Sequence, residues 1–115
     1  MSEFTAEGME YVLIEDKKMM ANETFDFKRP IVYRPDGTVY AINGELALKT
    51  YQAAVEGWVE PVQVPNFEPH SVEVYIGLVN EEGLLKRLPF NNKASVICGQ
   101  SIVGNLLIIK EEWLG

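Results

Sequence analysis

The chain is poor in the residues that build disulfides and metal sites, with one cysteine, Cys98, and one histidine, His70, among its 115 residues. A single cysteine cannot form a disulfide within the chain, and this pair cannot supply the ligand set of a structural zinc site. Long apolar runs are missing as well, since the longest are short stretches such as Leu106–Ile109. We therefore expect no disulfide scaffold, no metal or cofactor, and no membrane-spanning helix.

Basic residues are also scarce, because 10 Lys and Arg stand against 17 Asp and Glu, for a formal net charge of −7. A protein that binds a phosphate backbone needs clustered basic charge, so we expect no direct binding to nucleic acid. The N-terminal residues carry acids where a targeting signal needs bases. This pattern predicts a cytoplasmic protein with no membrane partner.

The chain does contain enough apolar material for one core. Hydrophobic residues make up 47% of it and charged residues 23%, the balance of a single globular domain. We predict an acidic lead-in over residues 1–9 and one domain over residues 10–115. The fold class that we expect is α+β, with a mixed, mostly antiparallel sheet and one main helix, about residues 44–56, packed on it.

The segment from Asn43 to Gly57 has the signals of that main helix. Asparagine can cap the free amides of the first turn, and glycine can close the last turn in the left-handed conformation. Apolar residues within the segment follow spacings of three and four, which places them on one face of a helix. The predicted buried face is Leu48, Tyr51, Val55 and Trp58.

Strands are predicted before and after this helix. A proline-aspartate-glycine turn indicates a peripheral hairpin over residues 34–39. Alternation predicts a strand over 72–79, and successive apolar residues predict a central strand over 101–110 that is covered on both faces. Between these two strands, one of the asparagines Asn91 and Asn92 can cap a short helical or irregular piece that Gly99 ends.

Two prolines limit where their strands can lie. Proline has no amide hydrogen, so it is tolerated at the start of a strand or on a sheet edge. Pro30 should therefore begin its strand or lie on an edge. Pro61 indicates an edge strand or a bulge for the segment that follows the helix.

With these elements in order, residues 40–109 resemble a family of small proteins of bacteriophages, plasmids and other mobile elements, known as domain of unknown function 3846. Five segments carry the resemblance: Glu45 to Ala54, Gly57 to Val62, Asn80 to Leu85, Leu88 to Asn91, and Ile102 to Ile108. The chain departs from the usual pattern in its longer N-terminal part and in ending soon after the last strand. The resemblance implies a viral or mobile-element origin and an intracellular setting, and it implies no reaction.

No catalytic constellation can be assembled from the residues. The glycine spacing of Gly99–Gly104 lacks the lysine and the hydroxyl that a phosphate-binding loop needs. Cys98 has only His70 as an activating imidazole, and we expect a buried structural cysteine and a solvated histidine. Adjacent residues on a strand point to opposite faces, so two adjacent acids can bind one metal ion only from a loop. We expect pairs such as Glu81 and Glu82 to be solvated charges of a turn. The sequence therefore favours a non-enzyme.

An uneven distribution of charge supplies the leading hypothesis. Between Lys49 and Lys86 there is no lysine or arginine, and six acids fall there: Glu56, Glu60, Glu68, Glu73, Glu81 and Glu82. A negative face of this kind can meet a basic surface on a host macromolecule, because complementary charge speeds encounter. Trp58, Phe67 and Tyr75 would supply apolar anchors, or would instead lie in the core. We therefore predict a host-takeover or anti-defence role through protein binding.

Three alternatives stay open. The first is an oligomeric module that sequesters a nucleotide-like small molecule, with aromatic stacking from Trp58 and Tyr75 and hydrogen bonds from Asn80, Asn91 and Asn92. An enzyme and a structural or virion-associated protein follow. Edge pairing of strands predicts a homodimer that is compatible with each of them. The candidate binding residues are Glu56, Trp58, Glu60, Glu73, Tyr75, Asn80, Glu81, Glu82, Asn91 and Asn92.

Overall fold

The computed structural model describes residues 4–14 and 28–115, which form a sheet with a helix on each face. The strands are β1 (Glu10–Leu13), β2 (Ile31–Tyr33), β3 (Val39–Asn43), β4 (Val59–Val62), β5 (Tyr75–Asn80) and β6 (Leu106–Lys110). The helices are α1 (Leu48–Val55), α2 (Asn92–Cys98) and a short 3-10 helix (Glu111–Trp113). The expected acidic lead-in over residues 1–9 begins outside the described residues.

The described strands form one sheet in the order β1-β3-β2-β6-β5-β4, and each pair of neighbours is antiparallel. The α+β fold class is confirmed, and the sheet of the described residues is wholly antiparallel. Strand β4 lies at one edge, as Pro61 predicts, and β2 begins directly after Pro30. The predicted hairpin exists, but its peripheral position is wrong, because β1 covers the outer side of β3 and β6 pairs with β2.

The core lies on both sides of β6. Leu106 and Ile108 pack in a cluster with Ala94 and Cys98 of α2, whereas Leu107 and Ile109 pack in a cluster with α1. All four residues of Leu106–Ile109 are fully buried. Side chains alternate along a strand, so a strand that is apolar at successive positions needs a covering layer on each face. The central position predicted for this strand is confirmed.

The main helix is shorter than its prediction. It spans Leu48–Val55 rather than about 44–56, and Ala47 rather than Asn43 precedes its first residue. Asn43 is the last residue of β3, where it pairs with Glu10 of β1, so the chain needs several residues to turn before a helix can begin. Glu56, with φ of 60°, takes the left-handed closing position that was predicted for Gly57.

The buried face of α1 is only partly the predicted one. Tyr51 and Val55 are buried as expected, and Thr50 and Ala54 lie with them. Leu48 is 55% exposed and Trp58 is 52% exposed, so their prediction as core residues is wrong. Trp58 lies beyond the end of the helix, so the helical spacing does not extend to it, whereas Leu48 is the first residue of the helix and its side chain is exposed there. The predicted apolar stripe is correct over the helix interior.

The structure also corrects the strand predicted over 72–79 and confirms the short helix after Asn91. Strand β5 begins at Tyr75, and Val72 before it is 98% exposed. The side chain of Asn91 accepts from the backbone N–H of Ala94 at 3.1 Å and so caps α2, and Gly99 closes α2 with φ of 67°. The strand predicted over 101–110 covers only Leu106–Lys110.

Candidate interaction surface

A groove of about 530 Å³ lies at the β4 edge of the sheet, beside the turn over residues 81–87. Its residues come from β4, from the end of β5, from the turn and from the segment before β6. They are Glu60, Val62, Val79, Asn80, Glu81, Leu84, Leu85, Gln100, Ser101, Ile102 and Val103. Because Val62, Val79 and Ile102 also pack in the cluster on the α2 face, the groove opens on that face of the sheet. We call it the β4 groove.

The wall of the β4 groove that carries Leu84 and Leu85 is held by backbone hydrogen bonds. Gly83 N–H donates to the Asn80 carbonyl at 3.0 Å, Lys86 N–H to that of Glu82 at 2.9 Å, and Leu88 N–H to that of Gly83 at 3.0 Å. Each of the two leucine side chains is 83% exposed. A hydrogen-bonded turn therefore presents two adjacent large apolar side chains to solvent, and exposed apolar patches are candidate interaction sites.

The side chain of Asn80 holds this turn by hydrogen bonds. Its Nδ2 donates to the carbonyl oxygens of Val55 and Glu56, both at 3.2 Å, and its Oδ1 accepts from Glu82 N–H at 2.8 Å. The residue is only 5% exposed. Gly57 makes room for it, since a Cβ there would lie 2.5 Å from the Asn80 Nδ2. Asn80 therefore ties the end of α1 to the turn, and its side-chain amide is used within the fold.

The acidic residues predicted as one face occupy several places. Glu60 and Glu81 are exposed and line the β4 groove, and Glu82 is half-buried beside them in the turn. Glu56 lines a separate cavity, and Glu73 forms an ion pair with Lys110 at 3.9 Å. The groove thus gathers two of the predicted acids next to exposed leucines.

The predicted aromatic anchors pack against other rings. Trp58 meets Phe4 edge-on at 5.4 Å between ring centroids, and Tyr75 meets Phe67 edge-on at 5.0 Å. Trp58 adjoins the turn, because its carbonyl accepts from Glu81 N–H at 2.8 Å. Tyr75 is half-buried and lines a different cavity. Of the two aromatic residues, Trp58 lies beside the acidic start of the turn.

Asn91 and Asn92 have opposite environments although they are neighbours. Asn91 is 1% exposed, and its Nδ2 donates to the carbonyl oxygens of Tyr33 at 2.9 Å and Gly104 at 2.8 Å. Asn92 is exposed in the first turn of α2. The structure therefore does not bring the predicted small-molecule residues together, since Asn80 and Asn91 are buried in separate networks of backbone hydrogen bonds.

Among the described strands, β4 has a neighbour on one side only, and Pro61 interrupts the row of N–H groups on its other side. The peptide groups of Trp58 and Glu60 face β5, because Glu81 N–H donates to the Trp58 carbonyl and peptide groups alternate along a strand. Those of Val59 and Pro61 consequently face away from β5. Proline has no N–H to offer there to a partner strand. The addition of a partner strand at this edge is therefore disfavoured.

The thiol of Cys98 is placed for packing. It is 6% exposed, and burial raises its pKa to about 11 from 9.0. The prediction of a buried structural cysteine is confirmed. His70 is exposed in the loop between β4 and β5, as expected.

We expect Cys98 in the native protein to react very slowly with iodoacetamide at about pH 8, because thiolate is the reactive form and the thiol is both buried and protonated. In guanidinium chloride the same thiol should react at the rate of a free peptide cysteine, which provides the control. Because the pKa of Cys98 is raised, the folded state keeps this proton up to a higher pH than the unfolded chain does. The free energy of unfolding should therefore fall as pH rises from 9 towards 11. Equal labelling rates in the native and unfolded protein would contradict the buried position.

The leucines of the turn were not among the residues predicted from the sequence. Their signal is present in retrospect: two adjacent leucines lie in a short polar turn, with Glu81 and Glu82 before them and Lys86 and Arg87 after them. Two apolar residues in a charged turn belong to no helix or strand whose periodicity would predict their burial. They are therefore candidates for exposed residues that contact a partner.

Comparison with family models assigns the chain to a protein family. The model of the family described as Domain of unknown function (DUF3846) matches residues 28–113, well over half of the chain. The protein belongs to this family. Comparison with curated proteins gave no match, and comparison with solved structures gave none.

Two global features of the described residues accompany this assignment. Within residues 4–14 and 28–115, no helix has the length and apolar character that crossing a membrane requires. The same ranges hold no group of three or more His, Cys, Asp or Glu side chains arranged for a metal ion.

Proposed function

We propose that this protein is a non-catalytic interaction domain whose β4 groove binds a basic, amphipathic helix of a partner protein. The observation that carries the proposal is the pairing of two exposed leucines with two exposed glutamates around one groove. Because hydrogen bonds already order the backbone of the turn, binding does not have to order it, and apolar contact at Leu84 and Leu85 can provide affinity. Glu60 and Glu81 would pair with lysine or arginine of the partner.

The form of the partner follows from the edge strand. A partner strand would need the N–H that Pro61 lacks, so strand addition at β4 is disfavoured. A helix that lays an apolar face into a groove needs no backbone hydrogen bonds from the domain. The net charge of −7 adds long-range attraction for a basic helix, and this attraction weakens as salt rises.

The resemblance of residues 40–109 to proteins of bacteriophages and mobile elements supports a biological setting for the interaction. We place the domain in the cytoplasm of a host cell, where its partner is a host protein and the binding serves host takeover or anti-defence. Affinity purification from host cells tests this setting. A host protein retained by the wild type and lost with a groove variant is expected, and equal retention by both would contradict the assignment.

A defined peptide tests the groove itself. The probe is a fluorescein-labelled synthetic helix of lysine and leucine, with the leucines on one face, and binding is followed by fluorescence anisotropy. We expect the double variants Glu60→Lys/Glu81→Lys and Leu84→Ser/Leu85→Ser each to weaken binding about tenfold or more, because each removes one half of the complementary surface.

The matched control separates groove binding from general charge attraction. Glu7→Lys/Glu112→Lys changes the net charge by the same amount at exposed sites outside the groove. It should leave the affinity within about twofold at physiological salt, where distant charges are screened. If this control weakens binding as much as Glu60→Lys/Glu81→Lys does, the domain attracts the peptide by overall charge and the proposed groove is wrong.

A further inference from the structure

A second cavity, of about 460 Å³, lies between the β2–β3 turn, the end of α1 and the segment before α2. Its polar lining comes from Arg34, Asp36, Glu56 and Asn105, and Phe90 with two prolines supplies the apolar lining. None of these residues lines the β4 groove. A ligand in this cavity would therefore bind at a site separate from the proposed binding site of the partner helix.

Arg34 is held in place by two aromatic rings. Its guanidinium carbon lies 4.7 Å from the ring centroid of Tyr11 and 4.5 Å from that of Tyr40. Both tyrosines pack against the cluster on the α1 face, so the cation is oriented by the core. A guanidinium that is fixed in this way has already lost most of its rotamer freedom before any ligand arrives.

No ion pair joins Arg34 to a carboxylate among the described residues, although the hydrogen bonds from Thr38 and, to a lesser extent, the nearby guanidinium lower the pKa of the Asp36 carboxyl. The ion pairs within residues 4–14 and 28–115 join Lys49 to Glu45 and Lys110 to Glu73. The Arg34 Nε is buried and has no hydrogen-bond partner in that part of the chain. Because the Nε is enclosed by the protein, a ligand carboxylate would pair with the terminal nitrogens of the guanidinium, which can hold it through two hydrogen bonds.

The rest of the cavity offers acceptors and an apolar wall. Asn105 Nδ2 donates to the Ala54 carbonyl at 2.9 Å, which leaves the side-chain Oδ1 as an acceptor. Glu56 supplies an exposed carboxylate, whereas Asp36 already accepts from Thr38. Phe90 is 55% exposed although it lies in a bridge with Val103, so its ring forms part of the surface.

We propose that this cavity binds a small zwitterion with an apolar body, the chemistry of an α-amino acid with a large apolar side chain. Arg34 would take its carboxylate, and Glu56 with the Asn105 Oδ1 would accept from its ammonium group. Phe90 would cover its apolar body. Cavities of this volume are in the range that holds a small ligand with a few convergent polar groups.

Three probes dissect the three contacts: L-phenylalanine, 3-phenylpropanoate without the ammonium group, and 2-phenylethylamine without the carboxylate. Binding is followed by amide chemical shifts in two-dimensional NMR spectra of the full chain. We expect L-phenylalanine to shift the amide signals of Arg34, Phe90 and Asn105, with 3-phenylpropanoate about tenfold weaker and 2-phenylethylamine weaker still.

Variants assign the effect to the cavity. Arg34→Gln should weaken binding of L-phenylalanine about tenfold or more, whereas Arg87→Gln removes an exposed arginine outside the cavity and should leave it unchanged. Should Arg34→Gln unfold the protein, Glu56→Gln serves in its place and should weaken L-phenylalanine while leaving 3-phenylpropanoate unchanged. The proposal is overturned if L-phenylalanine shifts none of the cavity amides, or if the folded variants bind all three probes as the wild type does.

Discussion

Replacing Asn91 by alanine should destabilise the protein by about 3–5 kcal/mol, a large part of the total stability of a domain of this size. The side chain of Asn91 caps α2 through Ala94 N–H and satisfies the buried carbonyl oxygens of Tyr33 and Gly104. Loss of a cap costs about 1 kcal/mol, and loss of each buried hydrogen bond from the Asn91 amide to a carbonyl costs about 1 kcal/mol or more. Urea unfolding followed by circular dichroism measures the change.

The neighbouring asparagine provides the control for this variant. Asn92 is exposed in the first turn of α2, so Asn92→Ala should change the free energy of unfolding by no more than about 0.5 kcal/mol. The two substitutions remove the same side chain at adjacent positions and differ only in burial and partners. A loss of less than about 1 kcal/mol for Asn91→Ala would show that the hydrogen bonds of this side chain are replaced by water.

The second large effect is expected at the centre of the sheet, where Leu107→Ala should cost about 3–4 kcal/mol. Leu107 is fully buried in the cluster on the α1 face, and its backbone pairs with Val32 and Leu78 on the two neighbouring strands. Truncation removes apolar contacts and leaves a cavity that rigid neighbours on both sides cannot fill. The midpoint of urea unfolding should fall while its slope stays the same.

Leu85→Ala is the control for Leu107→Ala, because it makes the same truncation at an exposed position. Leu85 is 83% exposed, so its truncation should leave the free energy of unfolding within about 0.5 kcal/mol of the wild type. The same truncation should weaken the lysine-leucine peptide, since Leu85 is proposed as a contact residue of the β4 groove. A substantial loss of stability in Leu85→Ala would mean that this leucine packs within the fold and would remove it from the proposed surface.

Local rules predict several elements of this fold well. The successive apolar residues of Leu106–Ile109 predict burial on both faces, and that follows from strand geometry alone. The turn before β3 is equally local, since Gly37 has φ of 90° and Asp36 accepts from Thr38 N–H. The caps of α2, Asn91 and Gly99, depend on residues within the same helix.

Other features depend on distant parts of the chain and were missed for that reason. The pairing of Asn43 with Glu10 moves the start of α1 to Leu48, although Asn43 is a good cap residue. The hairpin lies inside the sheet because β1 and β6 pair with its outer sides. Neither pairing can be inferred from the sequence near the element that it changes.

The candidate sites show the same division between local and distant causes. Charge counts point to Glu60 and Glu81, which do line the groove. Asn80 and Asn91 have the chemistry of ligand-binding residues, but backbone partners far along the chain bury their amides. Arg34 has no sequence pattern that marks it, because its environment is made by rings on two different strands.

Site-specific photo-crosslinking tests the central proposal, that the β4 groove is the binding surface, most directly. Benzoyl-phenylalanine replaces Leu85 in the groove or Leu48 on α1, and each protein is irradiated with the lysine-leucine peptide. Both positions are exposed, and only the first lies in the groove. The account predicts a strong crosslink to the peptide from position 85 and little from position 48. Equal yields from the two positions, or a higher yield from position 48, would contradict it.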